Sequence, residues 1–386
     1  MGDEKVVLFG AGLIGQMALK KLGENAVDFF VDNNAGLQKK MIAGKKVLSP
    51  EVLRNRQEQK VIISSRHYGA MIKQLEDMGH SNFEVYDDAG RLYYPTNAII
   101  FNPYKNNPNR GLTEEQYNDK FAKEKTINGI RAAVNEIYHK NMLFNHIEIE
   151  TINRCNGVCE FCPVSVPNER RVYAKMSDQI FEKIILELAD MNYAGRIALF
   201  SNNEPFLDED IIRKHKYARE KLPNAKFHLF TNGTLLTLDK FKEIIDCLDE
   251  LVIDNYNVNL ELISNSKIIA EYCEKHSALK EKVTIVLRNP KEILSSRGGD
   301  APNRKNKVSY PQSTCVLPFK QMIIRSDGKV SLCCNDPLGK MTLGDLQNQT
   351  LLEIWNGDAF KMVREKLYKG RGELAHCVYC DVFSIG

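Results

Sequence analysis

The sequence has no long apolar run and no excess of one charge. No segment approaches the ~18 apolar residues of a membrane-spanning helix, so we expect no membrane span. Lys and Arg number 53 against 50 Asp and Glu, a balance that gives no broad electrostatic field for nucleic acid. The N-terminus also lacks the basic start and apolar stretch of a secretory signal. We therefore expect a cytoplasmic protein with no membrane span and no nucleic-acid partner.

Cysteine, in contrast, is abundant. Ten cysteines are many for a chain in a reducing compartment, where disulfides are rare. Eight of them fall in two groups, which indicates metal or cluster ligation rather than disulfides. The first group is Cys155, Cys159 and Cys162, and the second is Cys315, Cys333, Cys334, Cys377 and Cys380.

The order of strands and helices predicts an α/β protein with several parts. Residues 1–90 alternate strands and helices, which favours a parallel, doubly wound sheet. Residues 91–140 are rich in Asn and Pro at their start and are predicted to connect two domains. Residues 141–305 repeat a strand followed by a helix, as in a partial (β/α) barrel, where chemistry lies at the carboxyl ends of the strands. Residues 306–386 begin with a predicted hairpin at Asp-Gly and form a small α+β domain.

The first cysteine group has the spacing C-x3-C-x2-C in a loop after a predicted strand. Three thiolates on one short loop can bind one face of a [4Fe–4S] cubane and leave the fourth iron open to another ligand. A structural zinc site would close with a fourth ligand nearby, and no His or Cys follows within twenty residues of Cys162.

This loop resembles the motif of the radical S-adenosylmethionine (SAM) enzymes, C-x3-C-x-aromatic-C, with Phe161 at the aromatic position. The resemblance implies that SAM binds the open iron and is cleaved to a 5′-deoxyadenosyl radical, which abstracts a substrate hydrogen. It also implies that Phe161 packs near the adenine. A low-potential electron donor such as flavodoxin or ferredoxin would supply the electron.

Further SAM contacts are implied by motifs at the ends of the later barrel strands. Ser201–Pro205 resembles the G-G-E-P segment of the family, with Asn at both glycine positions. Thr231-Asn232-Gly233 resembles the T-N-G turn of many relatives. The side chains expected to contact SAM are Asn202, Asn203, Glu204, Asp254, Asn255 and Arg288.

The second cysteine group contains enough thiols for one fully ligated cluster or one zinc site. Its pattern resembles the twitch domain, a short relative of the SPASM domains that follow many radical SAM barrels. The resemblance implies an auxiliary [4Fe–4S] cluster on Cys315, Cys333, Cys377 and Cys380, two cubanes in all. Cys334 is then left for packing, or as a weak candidate for a catalytic thiol.

A glycine-rich turn, G-x-G-x-x-G, joins the first strand to the first helix. Gly10, Gly12 and Gly15 would allow a phosphate to approach the helix N-terminus, and Asp32 ends the next strand. The unit resembles small Rossmann-like modules attached to sugar-modifying and surface-glycan enzymes. NAD, a nucleotide-linked substrate and a purely structural role all remain open for this turn.

The resemblance implies a radical SAM enzyme that oxidises an alcohol carbon on a sugar, a cyclitol or a nucleotide-linked glycan precursor. Radical modification of a peptide, by oxidation, crosslinking or epimerisation, is an alternative. An alternative from another class is an NAD-dependent oxidoreductase whose cysteines hold structural zinc.

Overall fold

The structure, a computed structural model, describes residues 5–65, 68–86, 92–93, 99–104, 124–140 and 142–383. The chain forms two compact units, residues 1–98 and 99–386. Within the segment predicted to connect two domains, residues 91, 94–98 and 105–123 lie outside the described residues. Across the described ranges, every helix is too short or too polar to cross a lipid bilayer.

The first unit is built on a largely parallel sheet. Its described strands lie in the order β3-β4-β2-β1-β5-β6-β7, with β3 antiparallel to β4 and β7 antiparallel to β6. The strands are β1 (Val6–Phe9), β2 (Val27–Val31), β3 (Met41–Ile42), β4 (Lys45–Leu48), β5 (Val61–Ile63), β6 (Phe83–Tyr86) and β7 (Leu92–Tyr93). The helices are α1 (Leu13–Leu22) and α2 (Tyr68–Asp77).

Both faces of this sheet are buried, because successive side chains of a strand point to opposite sides. Val7 and Phe9 of β1 pack in one apolar cluster with Leu75 of α2. Leu8, between them, packs in a second cluster with Leu19 of α1. The predicted doubly wound sheet is therefore confirmed, and the short antiparallel strands β3 and β7 extend it at its edges.

The glycine turn after β1 is a close approach of backbone to backbone. Gly10 has φ +112°, a value that side chains rarely allow. A Cβ on Gly15 would lie 1.8 Å from the carbonyl oxygen of Gly10, so the start of α1 can approach β1 only without that atom. Gly12 is different, since a Cβ there would meet no atom within 4 Å.

The second unit contains one continuous sheet. Among the described residues its order is β16-β15-β14-β9-β10-β11-β12-β13-β8, and β9 to β13 are parallel. The strands are β8 (Ile100–Phe101), β9 (His146–Ile149), β10 (Arg196–Ala198), β11 (Lys226–Thr231), β12 (Glu250–Tyr256), β13 (Val283–Arg288), β14 (Gln321–Ile324), β15 (Lys329–Ser331) and β16 (Thr342–Asp345).

Eight described helices belong to this second unit, besides its short 3-10 turns. They are α3 (Glu124–Tyr138), α4 (Asp178–Asp190), α5 (Ile211–Lys221), α6 (Leu238–Ile244), α7 (Ser264–Glu274), α8 (Leu317–Lys320), α9 (Leu351–Trp355) and α10 (Asp358–Lys369). Helices α4 to α7 follow β9 to β12 in turn, which gives the predicted repeat of strand and helix. The order of the sheet does not close on itself, so the barrel is partial, as predicted.

The parallel strands have an apolar outer face and a polar inner face. On β12, Leu251 and Ile253 belong to the main apolar cluster, whereas Asp254 and Tyr256 lie on the opposite face. On β9, Ile147 belongs to the same cluster and Glu148 faces the other way. Polar side chains thus collect inside the barrel.

The C-terminal hairpin is joined to the barrel through backbone hydrogen bonds. Strand β14 pairs in parallel with β9, and β15 pairs antiparallel with β14. Asp327 and Gly328 form the turn between β14 and β15, as the sequence predicts, and Gly328 has φ +79°. The hairpin therefore continues the barrel sheet.

We expect Gly15→Ala to destabilise the first unit by about 3 kcal/mol, because the added methyl group would overlap the carbonyl of Gly10. Hydrogen–deuterium exchange of peptides from residues 6–31 of the full chain measures this effect. Gly12→Ala is the matched control and should cost about 1 kcal/mol or less. Equal exchange in the two variants would contradict the close approach.

Candidate active site and cysteine clusters

The first cysteine group lies in the loop that follows β9. The Cys162 amide donates to the Cys159 carbonyl at 3.2 Å, and the Cys162 carbonyl accepts the Ser165 hydroxyl at 2.9 Å. An ideal Cβ on Gly157 would lie 3.2 Å from the sulfur of Cys155 and 3.8 Å from that of Cys159. The loop thus folds its thiols towards one point, and a side chain at Gly157 would crowd them.

Burial favours the neutral form of two thiols in this loop, and the neighbouring thiols add to that effect. Burial raises the pKa of Cys155 to about 12, and Cys162 adds to that rise. Burial also raises the pKa of Cys159 to about 12, with contributions from Cys162 and Cys155. Three convergent, half-buried to buried thiols at a barrel edge fit the cap of a cubane cluster, in which each thiolate binds a different iron.

A second set of predicted residues lies beside this loop. The ring of Phe161, 4% exposed, packs against that of Tyr256 with 5.9 Å between centroids. Asp254 and Arg288, at the ends of β12 and β13, approach to 3.8 Å, and both act electrostatically on Cys159. The structure therefore brings Phe161, Asp254 and Arg288 together with the cysteines.

Asn255 does not join them. It lies on the outer face of β12, fully buried, where its amide nitrogen donates to the Glu261 carbonyl and its amide oxygen accepts the Ile263 amide, both at 2.9 Å. The prediction that Asn255 contacts SAM is thus corrected, because alternation along a strand sends Asp254 and Asn255 to opposite faces.

Glu204 is a buried carboxylate that joins two strand ends. Its oxygens accept the Thr231 hydroxyl at 2.7 Å, the Asn232 amide at 2.8 Å and the Phe206 amide at 3.2 Å. Burial raises its pKa, and these donors oppose that rise. Glu204 therefore holds the T-N-G turn in place, and its contact with SAM stays a prediction.

The two asparagines before Glu204 differ in their surroundings. The side-chain oxygen of Asn203 accepts the Ser201 amide at 2.9 Å, and its buried side-chain nitrogen has no protein partner among the described residues. The side-chain nitrogen of Asn202 donates to the Cys334 carbonyl at 3.3 Å. Asn203 thus has a donor for a ligand, while Asn202 is directed to the C-terminal cysteines.

Glu148, on the inner face of β9, was not anticipated from the sequence. Its carboxylate oxygens accept hydrogen bonds from the Ser201 hydroxyl at 2.6 Å and from the Gln321 side-chain amide at 2.7 Å. Burial raises the pKa of Glu148 to about 7, while Ser201 and Arg297 oppose the rise. A carboxylate with such a pKa can act as a general base near neutral pH. Alternating acidic residues in the HIEIE strand were the available signal.

Arg297 is the second residue that sequence reasoning missed. It has φ +50° and donates to the Cys334 carbonyl at 3.3 Å. Glu148 and Arg297 also act electrostatically on the Cys334 thiol, whose pKa is raised by burial. Arg297 thus lies beside Cys334, and no short motif marks Arg297 for this place.

The second cysteine group surrounds one pocket. The four predicted ligands line it, together with Arg371 and His376, and Cys334 does not. All four thiols are buried; they are Cys315, Cys333, Cys377 and Cys380. The structure therefore brings together the residues named from their spacing and separates Cys334 from them.

Across the described ranges, no three His, Cys, Asp or Glu side chains converge on a single metal ion. A cubane does not need that geometry, because its thiolates bind separate iron atoms. Both cysteine groups fit a cluster on the chemistry of their donors and on their burial.

The N-terminal glycine turn is closed by Asp32. One carboxylate oxygen accepts the Ala11 amide at 2.7 Å, and the other accepts the Asn34 amide at 2.8 Å. Asp32 therefore has a structural role in the turn, and nucleotide binding by Gly10, Gly12, Gly15 and Asp32 stays a prediction.

Known protein families and structures resemble two parts of this chain. A family model described as the radical SAM superfamily matches residues 149–292, and a model of the SPASM iron–sulfur cluster-binding domain matches residues 315–381. The S-adenosyl-L-methionine-dependent 2-deoxy-scyllo-inosamine dehydrogenase of Niallia circulans is 30% identical over 244 residues, which are 63% of this chain and 95% of that protein. The crystal structure of BtrN in complex with AdoMet and 2-DOIA is similar with a TM-score of 0.54 and 26% identity, over 62% of this chain and 94% of that one.

We expect Cys333→Ala to lower the iron content of the reconstituted protein from about eight to about four atoms per chain, because one of two cubanes loses a ligand. Cys334→Ala is the matched control and should keep about eight, since its thiol lies outside the four-cysteine pocket. Iron and sulfide analysis after anaerobic reconstitution measures both. The reverse pattern would show that Cys334 is the ligand.

Proposed function

Since the chain belongs to the radical SAM oxidoreductases with a SPASM-type C-terminal domain, we propose that it dehydrogenates a secondary alcohol on a cyclitol or a sugar. The observation that carries this proposal is the 30% identity, over nearly the whole of the relative, with an enzyme named as a 2-deoxy-scyllo-inosamine dehydrogenase. The barrel interior supports it, because it holds a buried carboxylate and a guanidinium suited to hydroxyl groups.

Each cysteine group has its own role in this proposal. When bound, a cluster on Cys155, Cys159 and Cys162 with SAM supplies a hydrogen-abstracting radical, and a cluster on the second group supplies an electron acceptor. Phe161, Asp254 and Arg288 lie beside the first cysteine loop, which supports this role. We propose that these side chains orient SAM, with Asn203 and Glu204 at the neighbouring strand end.

Oxidation of a carbinol removes a hydrogen atom, a proton and an electron from the substrate. We propose Glu148 as the base that takes the hydroxyl proton, because it is buried inside the barrel with a pKa near 7. Arg297 donates to the carbonyl of Cys334, which directly follows the ligand Cys333. A substrate between Glu148 and Arg297 therefore lies close to the second cysteine group.

Epimerisation is a second candidate, favoured by one observation. The Cys334 thiol is outside the four-cysteine pocket and lies near Glu148 and Arg297. A thiol in the barrel interior could return a hydrogen atom to a substrate radical. The alternative of an NAD-dependent oxidoreductase with structural zinc is not pursued, since the C-terminal region matches an iron–sulfur domain.

Other parts of the proposal concern partners and the first unit. We propose that the glycine turn contacts a nucleotide-linked substrate or a nucleotide, and that a flavodoxin or ferredoxin supplies electrons. The divisions at residues 90, 140 and 305 are proposed as domain boundaries, with a cytoplasmic location for the whole. Neither family model covers the first unit, so its ligand rests on the turn alone.

The function is tested by incubating the anaerobically reconstituted protein with SAM, a reductant and 2-deoxy-scyllo-inosamine or related cyclitols and sugars. We expect a ketone and 5′-deoxyadenosine in equal amounts, with the carbinol hydrogen in the deoxyadenosine. Epimerisation would instead give an unoxidised product carrying solvent deuterium, and Cys334→Ala would abolish that label. SAM cleavage without either product would contradict both candidates.

We expect Glu148→Gln to lower kcat by about 10²- to 10⁴-fold, because the amide cannot accept the hydroxyl proton. In the parent enzyme the rate should rise with pH through about 7, since the deprotonated carboxylate is the active form. The variant should lose that rise while retaining its iron content. Gln321→Glu is a second probe, because it replaces a side-chain amide that donates to Glu148 with a second carboxylate. It should raise the pKa of Glu148 and so move the midpoint of the rate increase to higher pH.

A further inference from the structure

Arg371 is a buried guanidinium beside the second cysteine group. Its side chain is 1% exposed and lines the same pocket as the four cysteines. Nε donates to the Thr314 carbonyl at 3.1 Å, Nη2 donates to the Val382 carbonyl at 2.5 Å, and Nη1 donates to the Cys380 carbonyl. Its hydrogen bonds therefore go to the backbone next to Cys315 and at Cys380.

No carboxylate in the described part of the chain forms an ion pair with Arg371. Asp381 lies between Cys380 and Val382, whose carbonyls accept from Arg371. Its carboxylate is paired with Arg304 at 2.8 Å and accepts the Ser296 amide at 2.7 Å. A buried charge without a counter-ion costs several kcal/mol, so a compensating anion is expected close by.

The groups that face Arg371 and can become anions are the cysteines. Arg371 lines one pocket with Cys315, Cys333, Cys377 and Cys380, and its Nη1 also donates to the Cys380 carbonyl. The positive charge is thus stabilised only to the extent that those sulfurs are thiolates, which is their form when they bind iron.

Arg364, seven residues earlier on the chain, provides a contrast. It lies over the Trp355 ring at 3.9 Å and donates to the carbonyls of Pro318 and Trp355. Burial lowers its pKa to about 10, with no cysteine among the causes. Of these two arginines, Arg364 is half-buried against aromatic rings, whereas Arg371 is buried and lines the pocket of the four cysteines.

We propose that Arg371 is the counter-ion of the auxiliary cluster and a positioning residue for its reduction potential, an inference that rests on the proposed function. A four-thiolate cubane is anionic, and its reduced form carries one more negative charge. A buried cation nearby favours the reduced form, because charges interact strongly where water is excluded. Arg371 would thereby help the cluster accept the second electron of the alcohol, while the proton goes to the base.

The test measures the midpoint potential of the auxiliary cluster, and not turnover. The parent is the full chain with Cys155, Cys159 and Cys162 changed to alanine, so that only the C-terminal group holds a cluster. It is reconstituted anaerobically and titrated with redox mediators, and the reduced cluster is followed by electron paramagnetic resonance. The variants in this background are Arg371→Gln, Arg371→Lys and Arg364→Gln.

We expect Arg371→Gln to shift the midpoint to more negative potential, Arg371→Lys to shift it less, and Arg364→Gln to leave it unchanged. If Arg371→Gln fails to hold iron but Arg371→Lys retains it, a positive charge is needed at this position and the counter-ion role is supported. Loss of iron from both variants overturns the counter-ion role. An unshifted midpoint in Arg371→Gln, with full iron content, also overturns it. A parent that holds no C-terminal iron would instead overturn the auxiliary cluster of the proposed function.

Discussion

The parallel alignment of β9 to β13 is the constraint on which the rest of the second unit depends. Parallel neighbours end at the same edge of the sheet, so loops that are far apart in sequence meet there. Asn156 in the cysteine loop donates to Thr234, 78 residues later, and Glu204 binds the Asn232 amide, 28 residues later. The cysteine loop is therefore held by neighbouring loops as well as by hydrogen bonds of its own.

Compensation of buried charge is the second theme of the structure. Asp254 faces Arg288 beside the cysteine loop, and Glu148 faces Arg297 inside the barrel. Arg371 lines the pocket of the four C-terminal cysteines. In each of these three places a charged group lies near a group that carries or can carry the opposite charge, which offsets part of the cost of burial.

Much of the fold could be predicted from local patterns. Local patterns predicted the alternation of strands and helices in residues 1–90 and 141–305, and Asp327-Gly328 predicted the hairpin, because these signals lie within a few residues. The cysteine groups were equally local. Strand β8 was missed, because it is only two residues long and lies in a segment rich in Asn and Pro, so it shows no periodic pattern of apolar residues. The motif at the end of β12 named both Asp254 and Asn255, although alternation along the strand allows only the first to face the loop.

The residues that escaped prediction act over long sequence distances. Arg371 meets Thr314, 57 residues earlier, and Gln321 meets Glu148, 173 residues earlier. Such contacts depend on how the elements pack, and no spacing in the sequence records them.

The pairing of β14 with β9 has a consequence for electron transfer. The first cysteine loop departs from the end of β9, while Cys315 precedes β14 and Cys333 follows β15 of the same sheet. Four register pairs, from His146 with Gln321 to Ile149 with Ile324, lock these strands together. The sheet thus fixes the distance between the two redox centres. Insertions between β13 and β14 could lengthen the chain without altering the distance for electron tunnelling.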